Sequence, residues 1–213
     1  MNNIDYLSLA LDQVVRSITE IQFTKGLLPA QWVVLRYLDK ANKYSLTPGF
    51  VAKFIGTTNG TASQTLDSLE KKGYVRKLRN TADKRVVNLR LTKAGKEILK
   101  SDPIRKLLIH MENDENSQNQ QQSQIHLQNG LEYLISELRS GKVKNQFGFC
   151  KYCEEFQPCE EKNSGIAGFC DLNHEAVGEE ETWKICAIFA QVSTSDKGAP
   201  PETSAKGTSL AAK

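Results

Sequence analysis

Histidine is scarce in this chain of 213 residues: there are three, His110, His126 and His174, and none sits in a nucleophile or metalloprotease pattern, so an enzyme is not expected. Long apolar runs are absent as well. No stretch approaches the roughly 18 residues that a membrane span needs. The start, MNNIDYLSLALDQ, carries acids inside its apolar pattern, where a secretion signal would be basic and then apolar. A cytoplasmic protein without membrane contact is the expectation. Cysteine is sparse too, with five residues that all fall between 150 and 186. In a reducing compartment such clustering argues for metal ligation or redox chemistry and against structural disulfides. A core can form, because 39% hydrophobic content over this length supports one generous domain, or one domain and a small satellite.

The net charge of +3 conceals a segregation. Residues 51–100 hold twelve Lys and Arg against four Asp and Glu, a net of +8, whereas residues 150–189 hold three against nine, a net of −6. A basic half-domain is a footprint for a polyanion, most commonly nucleic acid; a merely solvated surface would mix its charges.

Helical periodicity dominates the first part. Ile4, Leu7, Leu11, Val14, Ile18 and Ile21 recur at steps of three and four, the seam of a helix that packs on another helix. In LPAQWVVLRYLDKA, Pro29 suits a first helical turn, and Trp32, Leu35, Tyr37 and Leu38 supply core bulk. Thr47 and Pro48 open a short helix that ends near Gly56. A further helix runs from a cap at Thr57 or Thr58 to a left-handed stop at Gly73, with Ala62, Leu66 and Leu69 as its buried stripe. Its other face carries Asn59, Gly60, Thr61, Ser63, Gln64, Ser68 and Lys71, small and hydrogen-bonding side chains suited to reading base edges; an ordinary solvated face is the alternative.

YVRKLRNTADKRVVNLRLT then alternates apolar and basic residues, breaks at NTADKR and resumes. That pattern predicts a β-hairpin whose tip carries Arg79, Lys84 and Arg85. Three helices followed by such a hairpin describe a winged helix-turn-helix. DKRVVNLRLTKAG (83–95) resembles the wing signature of the MarR family of bacterial regulators, and LEKKGYVRK (69–77) resembles that family's junction between recognition helix and wing. The resemblance covers about residues 1–142 and implies a homodimer on a pseudo-palindromic double-stranded DNA operator. It also implies that Arg85 enters the minor groove, oriented by Asp83, while the helix with Thr61, Ser63 and Gln64 enters the major groove. Ile98, Leu99, Leu107 and Leu108, with Leu127, Leu131, Leu134 and Leu138, extend the candidate dimerisation seam, although intramolecular core is the other reading of such stripes.

Two features depart from the family's plan. NDENSQNQQQSQ (113–124) is a low-complexity insertion read as a loop or frayed helix. Beyond Gly141 come acidic, cysteine-rich residues and a low-complexity tail that cannot build a core. Cys150 and Cys153 form a CxxC, Cys170 follows after sixteen residues and Cys186 after fifteen more, while Cys159 sits beside Pro158 in an acidic loop. Phe147, Phe149, Phe169, Ile185 and Phe189 are expected to wrap the other four. That pattern suits a thiolate-bound metal better than buried unbound cysteines or a thioredoxin-like pair. Zinc usually takes two CxxC-like knuckles, and His174 offers it a nitrogen; an iron–sulfur cluster tolerates dispersed all-thiolate ligands.

The expected fold is mainly α with a small β-hairpin: a winged helix-turn-helix dimer with a helical dimerisation region and a small cysteine-rich metal module. The expected divisions are 1–142 for DNA binding and dimerisation, 143–190 for the metal module and 191–213 for a flexible tail. The expected function is a bacterial transcriptional regulator whose promoter binding follows the redox or iron state of a cluster on Cys150, Cys153, Cys170 and Cys186, docked on the C-terminal dimerisation helix. The alternative is a structural Zn2+ site in a repressor that senses a small organic ligand.

Overall fold

The computed structural model describes residues 3–79, 87–112, 120–139, 147–159 and 165–189. Four helices come first. Helix α1 (Asn3–Ile21) buries none of its residues, so its apolar seam is left uncovered within one chain. Helix α2 (Pro29–Lys40) starts on its proline, and the Gln31 side-chain oxygen accepts the Leu28 N–H at 3.1 Å, which fixes the chain's entry. Its inner face buries Trp32, Val34, Leu35, Tyr37 and Leu38, and the Trp32 indole donates to the Gln22 carbonyl at 3.0 Å, satisfying the one polar atom of that ring. Helix α3 (Pro48–Phe54) is capped by Thr47, whose hydroxyl oxygen accepts from Phe50 N at 3.4 Å. Helix α4 (Asn59–Lys71) packs on α2 and α3 through Ala62, Leu66 and Leu69, all fully buried. Gly73 ends this segment in the left-handed region at φ +78°, where a side chain would be strained.

The wing is the antiparallel pair β1 (Val75–Arg79) and β2 (Val87–Leu91), in register Val75↔Leu91 through Arg79↔Val87. The expected break at NTADKR, with Asp83, Lys84 and Arg85, lies outside the described residues. The Leu-Thr-x-x-Gly element after β2 has a local cause. Thr92 accepts from Gly95 N at 3.0 Å to cap helix α5 (Lys93–Ile98) and donates back to the Gly73 carbonyl at 2.6 Å. A Cβ on Gly95 would lie 2.1 Å from the Tyr74 carbonyl oxygen, so only glycine lets α5 close on the start of the wing.

A short 3-10 turn (Leu99–Ser101) leads to α6 (Pro103–Glu112), which lies against α1 and against α7 (Gln120–Arg139). Asp102 at the break is buried; its carboxylate accepts from Arg36 and from Ile104 N, at 2.9 and 3.0 Å, and so ties α6 to α2. Leu99 is buried and Ile98 packs on the same core, so these two belong to the interior of one chain and leave the expected dimer seam. Leu107, Leu108, Leu127, Leu131, Leu134 and Leu138 remain exposed in it. The polar insertion is helical from Gln120 on, while 113–119 lies outside the described residues. No helix among the described residues is long and apolar enough to cross a membrane.

The C-terminal module, for which the sequence suggested no particular elements, is built of short β-strands in a chain that is mostly helical. Strands β3 (Gly148–Phe149) and β7 (Ile185–Cys186) pair antiparallel, and β4 (Phe156–Pro158), β5 (Ile166–Cys170) and β6 (Glu175–Gly178) form a second antiparallel sheet. The expected boundary at 142/143 and the tail after 190 lie outside the described residues. The docking expectation is also corrected: the module seats on the loop between α2 and α3. Ala41 bridges Ile185, Asn42 N donates to the Ile185 carbonyl at 2.9 Å, and Lys43 pairs with Glu175. Phe147 sets its ring edge-on to Tyr37 and Phe54, at 6.2 and 5.1 Å between centroids. The cause is apolar: the rings of Tyr37 and Phe54, 4.5 Å apart, offer a face at that loop that the module covers.

Candidate nucleic-acid interface and cysteine site

Because Ala62, Leu66 and Leu69 turn one stripe of α4 inward, its period of 3.6 forces Asn59, Thr61, Ser63, Gln64 and Lys71 outward, and all are exposed. Thr58 is exposed at the cap, where its oxygen accepts from Thr61 N at 3.2 Å. Ser68, expected on the same face, accepts from Gln31 Nε2 at 2.9 Å and instead anchors α4 to α2. Lys72 is likewise turned back onto α2, donating to Gln31 Oε1 at 2.9 Å, and Lys77 pairs with Asp67.

Arg79 is exposed at the end of β1, and Lys84 and Arg85 lie outside the described residues. The hairpin register adds two residues that sequence reasoning missed. Arg76 and Arg90 stand directly opposite each other on the outer face, both exposed and, among the described residues, without a carboxylate partner. Like charges directly opposed across strands repel, and an anion between them removes that cost. The signal was present in the sequence as alternation: counting outward from buried Val75 and Leu91 puts both arginines on the solvent face.

Strand pairing assembles the cysteines. The β3–β7 register sets Cys186 against Gly148, two residues before Cys150, and the β4–β5 register sets Cys170 against Phe156, three residues after Cys153. Cys153 N donates to the Cys150 carbonyl at 2.9 Å, folding the CxxC into one turn. Cys150, Cys153, Cys170 and Cys186 thereby line a single cavity, which Asn42, Lys43 and Tyr44 of the α2–α3 loop also wall. Cys159 is exposed beyond β4, its N–H donating to Ala167, and does not line the cavity; nor does exposed His174. The apolar wall comes from Phe156, Leu172, Val177 and Ile188. This corrects the expected wrapping, since Phe147 serves the helical core and Phe169 is exposed.

Burial, then the neighbouring sulfurs of Cys186, Cys153 and Cys170, push the Cys150 thiol up to about 11. Burial raises Cys186 as well, offset by the Ile188 N–H and the Asn42 amide, and Asn173 Nδ2 donates to Cys170 Sγ at 3.3 Å. Four sulfurs gathered on one cavity, with amide donors on two of them, are a donor set that a bound cation would deprotonate and hold. Among the described residues no three His, Cys, Asp or Glu side chains stand at the spacing of one ion's ligands, so the sulfurs border a shared space without closing on its centre.

Residues 25–86 match the sequence model of the MarR family. The HTH-type transcriptional repressor YetL of Bacillus subtilis (strain 168) is 33% identical over 72 residues, 34% of this chain and 43% of YetL, so the chain spans less than half the length of that relative. Among solved structures, a mutant of S. aureus MepR aligns with TM-score 0.52 at 19% identity, over 65% of this chain and 99% of its own. The protein of the S. aureus MepR–DNA complex aligns with TM-score 0.50 at 20% identity, over 62% and 97%. The helical part and wing thus have the MarR-like winged-helix fold, and the matched family segment ends before the first cysteine.

Proposed function

We propose that this chain is a bacterial transcriptional regulator that binds a double-stranded, pseudo-palindromic operator as a homodimer through its MarR-like winged helix. In this reading its DNA affinity follows the state of an iron–sulfur cluster held by Cys150, Cys153, Cys170 and Cys186. What carries the DNA reading is the exposed hydrogen-bonding face of α4 set beside a wing with opposed, unneutralised arginines. Arginine and lysine contacts to phosphate supply affinity, and a few side chains of α4 supply selectivity, Gln64 by geometry favouring adenine.

Arg85→Ala is expected to weaken operator binding by about 1–3 kcal/mol, and Gln64→Ala to relax preference at one position per half-site. Removing both Arg76 and Arg90 is expected to lower the slope of log affinity against log salt by about 1–2, at roughly 0.9 per phosphate contact. Fluorescence anisotropy on a selected operator checks all three; wild-type curves throughout would dismiss the docking.

The dimer rests on the uncovered seams of α1 and α7. Light scattering is expected to give twice the mass of one chain, and aspartate at both Leu7 and Leu131 to give the single mass, because a charge in a buried seam is costly. A wild-type monomer at micromolar concentration would remove the dimer.

The four thiols fit a cluster by donor chemistry: four sulfurs line one cavity, and an iron–sulfur cluster takes all-thiolate ligation from dispersed cysteines. When bound, it supplies an iron-dependent, oxidisable centre. Cys150 and Cys153 would hold it from the CxxC turn, Cys170 from β5 and Cys186 from β7, while the Asn173 amide orients the Cys170 sulfur.

A further inference from the structure

We propose that the loop between α2 and α3 is the element that couples the cysteine site to the DNA-binding unit, with Asn42 and Ser45 as its positioning residues. The inference rests on Cys186 being a ligand. Asn42 walls the cavity beside Cys186, and its side-chain oxygen accepts from Ser45 Oγ at 2.6 Å. Ser45 Oγ in turn accepts from Ala187 N at 2.8 Å, the residue after Cys186, so the loop and β7 close a polar ring around that cysteine.

Asn42 is 6% exposed and Ser45 0%. Burying such groups is unfavourable unless each is bonded, and mere attachment of the module is already supplied by Phe147 and Ile185, which pack on the apolar core. A polar ring at the cavity wall therefore serves orientation more than adhesion.

From Ser45 the path into the DNA-binding unit is short. Tyr37 of α2 donates its phenol to the Ser45 carbonyl at 2.7 Å, and the Leu46 carbonyl accepts from Leu89 N of the wing at 2.7 Å. Thr47, next in line, caps α3, on which α4 packs. A change at the Cys186 sulfur that moves Asn42 thus reaches α2, α3 and the wing within six residues of chain, Asn42 to Thr47. Packed elements of this kind respond as units to small shifts.

The test uses full-length protein purified without oxygen: wild type, Asn42→Ala, Ser45→Ala and, as a control outside the site, Cys159→Ser. Iron and sulfide are measured first, then operator affinity before and after stripping by a chelator. Wild type and Cys159→Ser are expected to show an affinity ratio of about five-fold or more between the two states, the lower end of ordinary coupling. Asn42→Ala and Ser45→Ala are expected to keep iron and bind DNA, with a ratio within about two-fold of one, and Asn42→Ala to shift the sulfur-to-iron absorption bands. If Asn42→Ala fails to fold or to hold iron, Ser45→Ala, which leaves the amide at the cavity wall, decides. Ser45→Ala holding iron with an undiminished ratio would overturn the coupling path, as would a wild-type ratio of one. Wild-type protein without iron would instead overturn the cluster reading beneath it, and metal content separates those failures.

Discussion

Serine in place of any one of Cys150, Cys153, Cys170 or Cys186 is expected to yield colourless protein without stoichiometric iron, while Cys159→Ser stays brown. The difference follows from where the strands put the sulfurs. Pairing of β3 with β7 and of β4 with β5 turns four of them onto one cavity, whereas Cys159 is exposed past the end of β4. Serine oxygen is a harder donor than sulfur and its hydroxyl is far less acidic than a thiol, so one exchange removes a ligand and leaves three sulfurs on the cavity. Air is expected to bleach the wild type, with dioxygen accepting the electrons, and to change its operator affinity. Iron and sulfide analysis with visible absorption reads the result. Colour lost at Cys159 but kept at Cys170 or Cys186 would mean that a different four are ligands; stoichiometric zinc in protein made with ample iron would replace the cluster by the structural-zinc alternative.

Phe147→Ala is expected to lower stability by about 2–4 kcal/mol, a little under the loss usual for a fully buried ring because Phe147 is half-buried. Its ring meets Tyr37 and Phe54 edge-on, and such pairs add to the area they cover. Tyr37 is 1% exposed and donates to the Ser45 carbonyl, so uncovering it opens both the core and the polar ring of the α2–α3 loop. Urea unfolding of the loaded protein measures this, with Phe169→Ala, on an exposed ring, expected to cost under about 1 kcal/mol. Equal effects from the two would mean that the module does not seat on the winged helix. The same contact bears on truncation: a chain ending at 142 is expected to remain a dimer through α1 and α7 but to unfold more easily than the full chain, because Phe147 and Ile185 no longer cover the core.

The elements of the winged helix were legible because their causes are local. The caps at Thr47 and Thr58, the stop at Gly73, the stripe Ala62, Leu66 and Leu69 and the alternation of the hairpin all act over a few residues, and the backbone responds to them directly. The four cavity cysteines were set apart from Cys159 by spacing, but the aromatic neighbours expected to wrap them were not legible, since Phe147 serves the helical core and Phe169 is exposed. Other features depended on partners far along the chain. Ser68 has the same hydroxyl as Ser63, but Gln31, 37 residues away, claims it for the interior. Leu99 continues a dimer-like stripe, yet the turn at Asp102, held by Arg36 from 66 residues away, folds it into the core. The seat of the module on the α2–α3 loop rests on Ser45 meeting Ala187, 142 residues apart. Periodicity says which face of an element is apolar; it carries no information on which surface will cover that face. By itself, then, the sequence determined the helices and the wing, and it grouped four sulfurs by spacing. Only the tertiary structure decided that those sulfurs adjoin the loop opening α3, because that placement comes from matching the rings of Tyr37 and Phe54 to Phe147, a long-range fit of shape and burial that no local pattern encodes.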